Sequence, residues 1–209
     1  MSGEISALTL LGVPSAPLEI EVFDPGDTTM ASTGTNKRAV LAGPYLIETI
    51  TNSVAGEFDF DSIPAGFKRL ILKGYARSSA ATTTDPLYIY ANTDTTNANY
   101  HMQSVRGING GASANSTEAD YPQIATVPAN TSTANSYGQF EIVVENYAAS
   151  SHLKTALSGF MAYETTDSTR MGMMAVTSAI TAAITRLRLR TDNHPTDGLV
   201  GEVSLYGMF

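Results

Sequence analysis

From Tyr45 to Phe209 apolar residues recur at every second position, in short runs broken by Gly, Pro, Asn, Asp or Ser. A period of two belongs to a strand whose side chains point alternately to two faces. In "GEFDFDSI", Phe58 and Phe60 lead on to Ile63, with Asp59 and Asp61 between them. "FKRLILKGYARS" carries a buried run at Leu70, Ile71 and Leu72. "PLYIYANT", "NYHMQSV", "GQFEIVVENY", "LSGFMAYET", "RMGMMAVTS", "ITRLRLRT" and "GEVSLYGMF" follow, each rich in β-branched and aromatic residues. "SAITAAITRL" could be drawn as a helix, but its Thr and Ile residues disfavour one and it runs straight into strict alternation. About eight to ten such strands predict an all-β fold, an antiparallel β-sandwich that is jelly-roll-like, over residues 45–209. The stretch 107–138 shows little strand signal and is expected to be a loop excursion that carries contacts.

Residues 1–44 have a different texture. Three prolines and a Thr/Ser/Gly tract surround one alternating run, "LEIEVF". This predicts an extended N-terminal arm rather than a domain, although a plain first strand and loop of the same sandwich fits as well. In the arm reading Leu18, Ile20 and Val22 form an apolar edge that is stabilised by joining a sheet or filling a groove on a partner.

Composition narrows the function. The chain has 209 residues and is 43% hydrophobic, enough for a packed core, while only 15% of it is charged. The net charge of -8 argues against a surface that grips DNA, because such binding is driven by basic residues that neutralise phosphates. With no cysteine, disulfides, thiolate metal sites and cysteine nucleophiles are excluded. No apolar run approaches the roughly 20 residues that span a bilayer, and an acidic Glu4 stands where a signal peptide would be basic, so neither membrane anchor nor secretion signal is expected.

The candidate chemistry is sparse. Arg186, Arg188 and Arg190 fall on one side of a strand, about 7 Å apart in sequence steps of two, with Leu187 and Leu189 on the other. A wet, salt-laced sheet face answers this pattern, with Glu141, Glu145 and Glu202 available on other strands as counter-charges, and an interface with an acidic neighbour answers it too. No aromatic platform accompanies the stripe in the sequence, so nucleic acid is not expected as a partner. Asp59 and Asp61 point the same way, yet no glycine-punctuated ligand loop follows and no metal is expected. His101, His152 and His194 have no metal or triad spacing. Neither cofactor nor catalytic residue is assigned. Tyr100, Tyr121 and Tyr137, with Tyr88 and Tyr90 beside them, crowd the loop-rich middle and could stack on a glycan or receptor, whereas Tyr88 and Tyr90 suit a half-buried strand setting.

One further signal is a resemblance. "FDFDSIPAGFKRLILKGYARS", "YIYANTDTTNANYH" and "AITRLRLRTDNHPTDGLVGEVSLYGMF" are similar to structural accessory proteins of tailed bacteriophage virions. The matching positions run from Phe58, Phe60 and Ile63 through Leu70, Leu72, Ala76, Arg77, Ser78 and Tyr100 to Ile184, Leu187, Leu189, Gly201, Leu205, Tyr206 and Gly207. The family's usual turn before the last strand is replaced by "DNHPTDGLV". The resemblance implies a non-enzymatic virion protein, a capsid decoration or head-fibre type accessory, or else a tail component. Its partners would be major capsid or tail subunits and further copies of itself, with a trimer favoured, and it would reside in the virion. A carbohydrate- or receptor-binding β-sandwich is the alternative, and a hydrolase on the same scaffold is not expected, because a fold alone supplies no chemistry.

Overall fold

The computed structural model describes residues 19–21, 38–40, 43–109, 111–113, 120–165 and 168–209. Fourteen strands and one 3-10 turn, Asn97–Asn99, make up its regular structure among these residues. The strands are β1 (Glu19–Glu21), β2 (Arg38–Val40), β3 (Tyr45–Gly56), β4 (Phe58–Phe60), β5 (Arg69–Ser78), β6 (Thr84–Ala91) and β7 (Tyr100–Ile108). They continue as β8 (Gly111–Ser113), β9 (Gln123–Pro128), β10 (Gly138–Glu145), β11 (Lys154–Thr165), β12 (Ser168–Ser178), β13 (Leu187–Arg190) and β14 (Leu199–Met208). No described helix is long and apolar enough to cross a membrane.

The pairing shows how the chain is wound. Eight strands pair antiparallel from the outside in: β3 with β14, β4 with β13, β5 with β10, and β6 with β9. That is one long double ribbon rolled up on itself. Rolling separates it into two sheets, β3-β14-β5-β10 and β4-β13-β6-β9, which is the jelly-roll winding. Of the other six, β1 and β2 pair with each other, and four form two insertions. β7 and β8 leave between β6 and β9, and β11 and β12 leave between β10 and β13. Both insertions join the first sheet, which reaches eight strands in the order β3-β14-β5-β10-β11-β12-β7-β8. The expected antiparallel sandwich is therefore present, with one sheet twice as wide as the other.

The core lies between the sheets and follows from the alternation. Along β14 buried and half-buried positions alternate without a break, and along β11 buried positions alternate with exposed ones from Lys154 to Glu164. Phe58, Phe60, Leu187, Leu189 and Leu87 of the four-stranded sheet meet Leu72, Ile142, Val203 and Leu205 of the larger one. All nine are essentially inaccessible to water. Burying each such side chain contributes about 1.5–3 kcal/mol.

Two of the framework positions that carry the resemblance have direct physical reasons. Gly201 sits at a register shift in β14 with φ +143°, where a Cβ would lie 2.1 Å from the Tyr75 carbonyl oxygen. No side chain fits there. Arg77 donates from Nη1 to the carbonyls of Thr133 (2.8 Å) and Ser136 (3.0 Å) and to the Ser136 hydroxyl (3.0 Å), so it holds the loop between β9 and β10. Its neighbour Ser78 donates to the buried carboxylate of Asp85 at 2.6 Å.

One expectation is corrected. The stretch 107–138 is not a single loop excursion, because it contains β9, whose six residues are all buried. β9 closes one edge of the four-stranded sheet and is covered on both faces, so it shows no alternation. Residues 1–44 contain β1 and β2, which pair with each other, Ile20 opposite Ala39. The backbone of β1 thus finds a strand partner within its own chain. Leu18 and Val22 lie outside the described residues.

Candidate functional site

The arginine stripe runs along β13, in the middle of the four-stranded sheet between β4 and β6. Each guanidinium has its own intrachain partner. Arg186 binds Asp59 of β4 with both ends of its fork, Nε to Oδ1 at 2.7 Å and Nη2 to Oδ2. The bond from Arg186 holds the Asp59 carboxyl below the usual carboxylate range, against the opposing cost of its burial. Arg188 donates to the Asn92 carbonyl at 3.4 Å. Arg190 lies over the ring of Tyr90, 4.2 Å from its centre.

Sequence reasoning missed the aromatic side of this arrangement. Arg188 stands opposite Tyr90 and Arg190 opposite Tyr88, so the stripe and the tyrosines share one face. The rings continue as a chain: Tyr88 stacks with Tyr121 (5.8 Å between centres), Tyr90 meets Tyr88 (6.2 Å) and Tyr100 (5.6 Å) edge to face. This is not a wet face, because Tyr88, Tyr90 and Tyr100 are buried and the arginines half-buried. Tyr100 is only 1% exposed and therefore offers no ring to a glycan. Its hydroxyl accepts from the Ala91 amide (3.1 Å) and donates to the Asp94 carbonyl (3.2 Å), and burial pushes the phenol up to about 12. The face is a stabilising layer of cations on aromatic rings rather than an open platform for bases.

The expected counter-charges belong to the other sheet. Glu141 pairs with Lys73 at 2.9 Å and Glu145 with Arg69 at 3.2 Å, both between β10 and β5. Glu202 accepts from the Thr51 hydroxyl at 3.0 Å. None of them faces the arginine stripe. Asp61 lies exposed beyond the end of β4 while Asp59 is held by Arg186, so the two carboxylates do not converge. The histidines are also held separately: His101 with Asp120 (2.8 Å), His152 with Ser151 (3.0 Å), and His194 near Glu57 (3.8 Å). Tyr121 is half-buried on Tyr88, and Tyr137 packs edge to face on Tyr75 at the outer side of the large sheet (5.4 Å). The three tyrosines expected at a glycan loop therefore stand in different environments.

The outer side of the large sheet holds the most unusual surface in the molecule. Its β5 and β10 part carries the two ion pairs just described. Its β11, β12 and β7 part presents Val105, Leu157, Met161, Tyr163, Met171 and Met173, each between 40% and 62% exposed. No outward position of β11 or β12 is charged. Met161 stands opposite Met171, and Met173 lies between Gly159 and Val105. Over Gly159 the surface sinks into an open depression of about 530 Å³, bordered by Tyr75, Lys73, Glu141, Gln139 and Met161. A Cβ on Gly159 would have nothing within 4 Å. The six side chains, at roughly 100 Å² of open surface each, amount to on the order of 600 Å², the top of the range for patches on monomeric proteins. The chain matches no family model, no curated protein and no solved structure.

Proposed function

We propose that this chain is a non-enzymatic structural protein of a tailed-phage virion, a capsid decoration or head-fibre type accessory, which works by holding to other protein subunits. The observation that carries the reading is the outer face of β11, β12 and β7, with six exposed large apolar side chains and no charged outward position on β11 or β12. Water penalises such a patch in proportion to its area, and a rigid sheet cannot turn those residues inward. Covering it with another protein removes the penalty. The sandwich supplies the rigid slab, and the family resemblance of residues 54–209 supplies the virion setting. Residues 1–44 form a second contact element in this reading.

The test is direct. Particles purified from cells that carry the phage should contain the chain at a fixed copy number relative to the major capsid or tail subunits, read by quantitative mass spectrometry. Expression of residues 45–209 in place of the full chain should lower that number sharply. Absence of the full chain from purified particles sinks the reading. Turnover of a polysaccharide or ester by the purified chain would move it to the hydrolases.

A further inference from the structure

We infer that the outer face of β11, β12 and β7 is a self-recognition surface, met in the assembly by the same face of a second copy related by a two-fold axis. The inference rests on reading this face as an assembly surface and adds what occupies it. Three observations select a second copy.

The first is shape. Met173 and Gly159 are cross-strand partners, so they lie at the same height along adjacent strands. One is a knob, 57% exposed, and the other, with no side chain, lies at the β11 edge of the open depression. Consider a two-fold axis parallel to the strands, between two stacked sheets and midway between β11 and β12. It sets β12 of one copy over β11 of the other with no shift along the strands. Met173 of each copy then stands over Gly159 of its mate and Met171 over Met161, while β7 comes over β10 at the border, with Val105 over Glu141. Sheets stacked face to face lie about 10 Å apart, which suits interlocking side chains of this length. An isologous contact of this kind requires the knob and the hole on one patch, and both are present.

The second is charge. The chain carries -8, so two copies repel as whole molecules. The outward positions of β11 and β12 are uncharged, so these two strands can approach their own copies without burying like charges. At its border the Lys73–Glu141 pair is internally neutralised. The third is area. On the order of 600 Å² of apolar surface, with the threonines along its edges, approaches the roughly 800 Å² per partner of a standard stable interface. The methionines add conformational adaptability.

Sedimentation equilibrium of the full chain tests this. A dimer is expected at about 100 µM, dissociating on dilution. Met173→Glu should raise the dissociation constant at least about 100-fold, since it buries a carboxylate next to Glu141, the cross-strand neighbour of Gly159. Gly159→Phe should also raise it, at least about tenfold, by filling the hole. That second variant separates shape from stickiness: a merely adhesive patch would bind more tightly with an added ring. Thr49→Lys, on the far side of the same sheet, should leave the constant within about twofold. Oxidation footprinting by mass spectrometry covers the case in which a variant does not fold. In the unaltered chain Met171 and Met173 should be protected at high concentration and oxidised on dilution. A monomer at high concentration, a trimer, or a dimer insensitive to Met173→Glu overturns the inference. Protection of both methionines at every dilution also overturns it, because the chain's own residues would then cover the face. A monomer that is nonetheless found in virions sinks this inference and leaves the proposed function standing. A dimer of the expected kind absent from virions does the reverse.

Discussion

The outer surface of the large sheet divides into two regions built on the same hydrogen-bonded ladder. Across β5 and β10 the outward residues are ion-paired, Arg69 with Glu145 and Lys73 with Glu141. Two strands farther on, across β11 and β12, they are methionine, leucine and tyrosine. Both regions belong to one antiparallel ladder, so the difference lies in the outward side chains rather than in the backbone pairing. The first is at ease in water, and its charges also keep other sheets away. The second is left with an area that water disfavours. A jelly roll needs only β3-β14-β5-β10 and β4-β13-β6-β9, and the apolar region lies on the strands added to that frame. The insertions widen the slab and carry the exposed apolar side chains.

The largest effect expected from this division lies within a single strand. Phe160 and Met161 are neighbours on β11, one 5% exposed against the core and the other 50% exposed on the outer face. Phe160→Ala should cost about 3–5 kcal/mol by urea denaturation, from lost burial and the cavity left behind. Met161→Ala, measured in dilute protein, should cost less than about 0.5 kcal/mol. Equal costs would show that the outer face is already packed against something, and the contrast between the two regions would vanish.

That strand also shows where the sequence could not be read. In "KTALSGFMAYET" both phases of the alternation hold apolar residues. Hydropathy alone would put Leu157, Met161 and Tyr163 inside, and Lys154, Ser158 and Glu164 outside. The fold does the opposite. Lys154 is buried with its ammonium donating to the carbonyls of Ala149, His152 (3.1 Å) and Thr181 (3.3 Å). Ser158 donates to the Ile124 carbonyl, and Glu164 meets Arg170 at 2.6 Å. Each of these polar groups has a partner, some local (Ala149, His152, Arg170) and some far off in sequence (Thr181, Ile124), and no strand-period pattern reveals any of them. β9 failed for the related reason that a strand covered on both faces has no alternation to detect. The arginine stripe was legible as one face, because period two fixes it. Its tyrosine neighbours were not, since the register of β13 on β6 is set by the whole fold. What the sequence did convey, the antiparallel sandwich and its strands from β3 onward other than β8 and β9, rests on alternation and turn residues alone.

A smaller effect separates the four-stranded sheet from the open ion pairs. Asp59 is held below its ordinary pKa chiefly by the bond from Arg186. A carboxyl depressed in the folded state adds stability above its unfolded pKa of roughly 3.9, and that stability is lost as pH falls through the folded value. Asp59→Asn should therefore cost about 1 kcal/mol at neutral pH, and the gap from the unaltered chain should close below about pH 4. Asp85 has the opposite sign: burial raises its pKa, so acidification relieves a cost. Stability curves of the two Asn variants against pH should thus diverge in opposite directions. A gap for Asp59→Asn that persists unchanged into acid would mean that its carboxylate is not what the pair stabilises.

The smallest effect is expected where the surface looks most obviously bonded. Lys73 and Glu141 are 2.9 Å apart, and each side chain is about half exposed, 51% and 52%. Water screens such a pair, and fixing two long side chains opposes the remaining attraction. A double-mutant cycle with Lys73→Gln and Glu141→Gln should give a coupling below about 0.5 kcal/mol, fading further in roughly 1 M salt. The value has a second use, because this pair borders the depression over Gly159. Measured in dilute protein and again at a concentration where copies associate, the coupling reports whether water is driven from that border. If it rises on association, the charged region is the rim of the apolar one. If it exceeds about 1 kcal/mol even in dilute protein, the ion-paired region is not open to solvent, and the two halves of the sheet differ less than their side chains suggest.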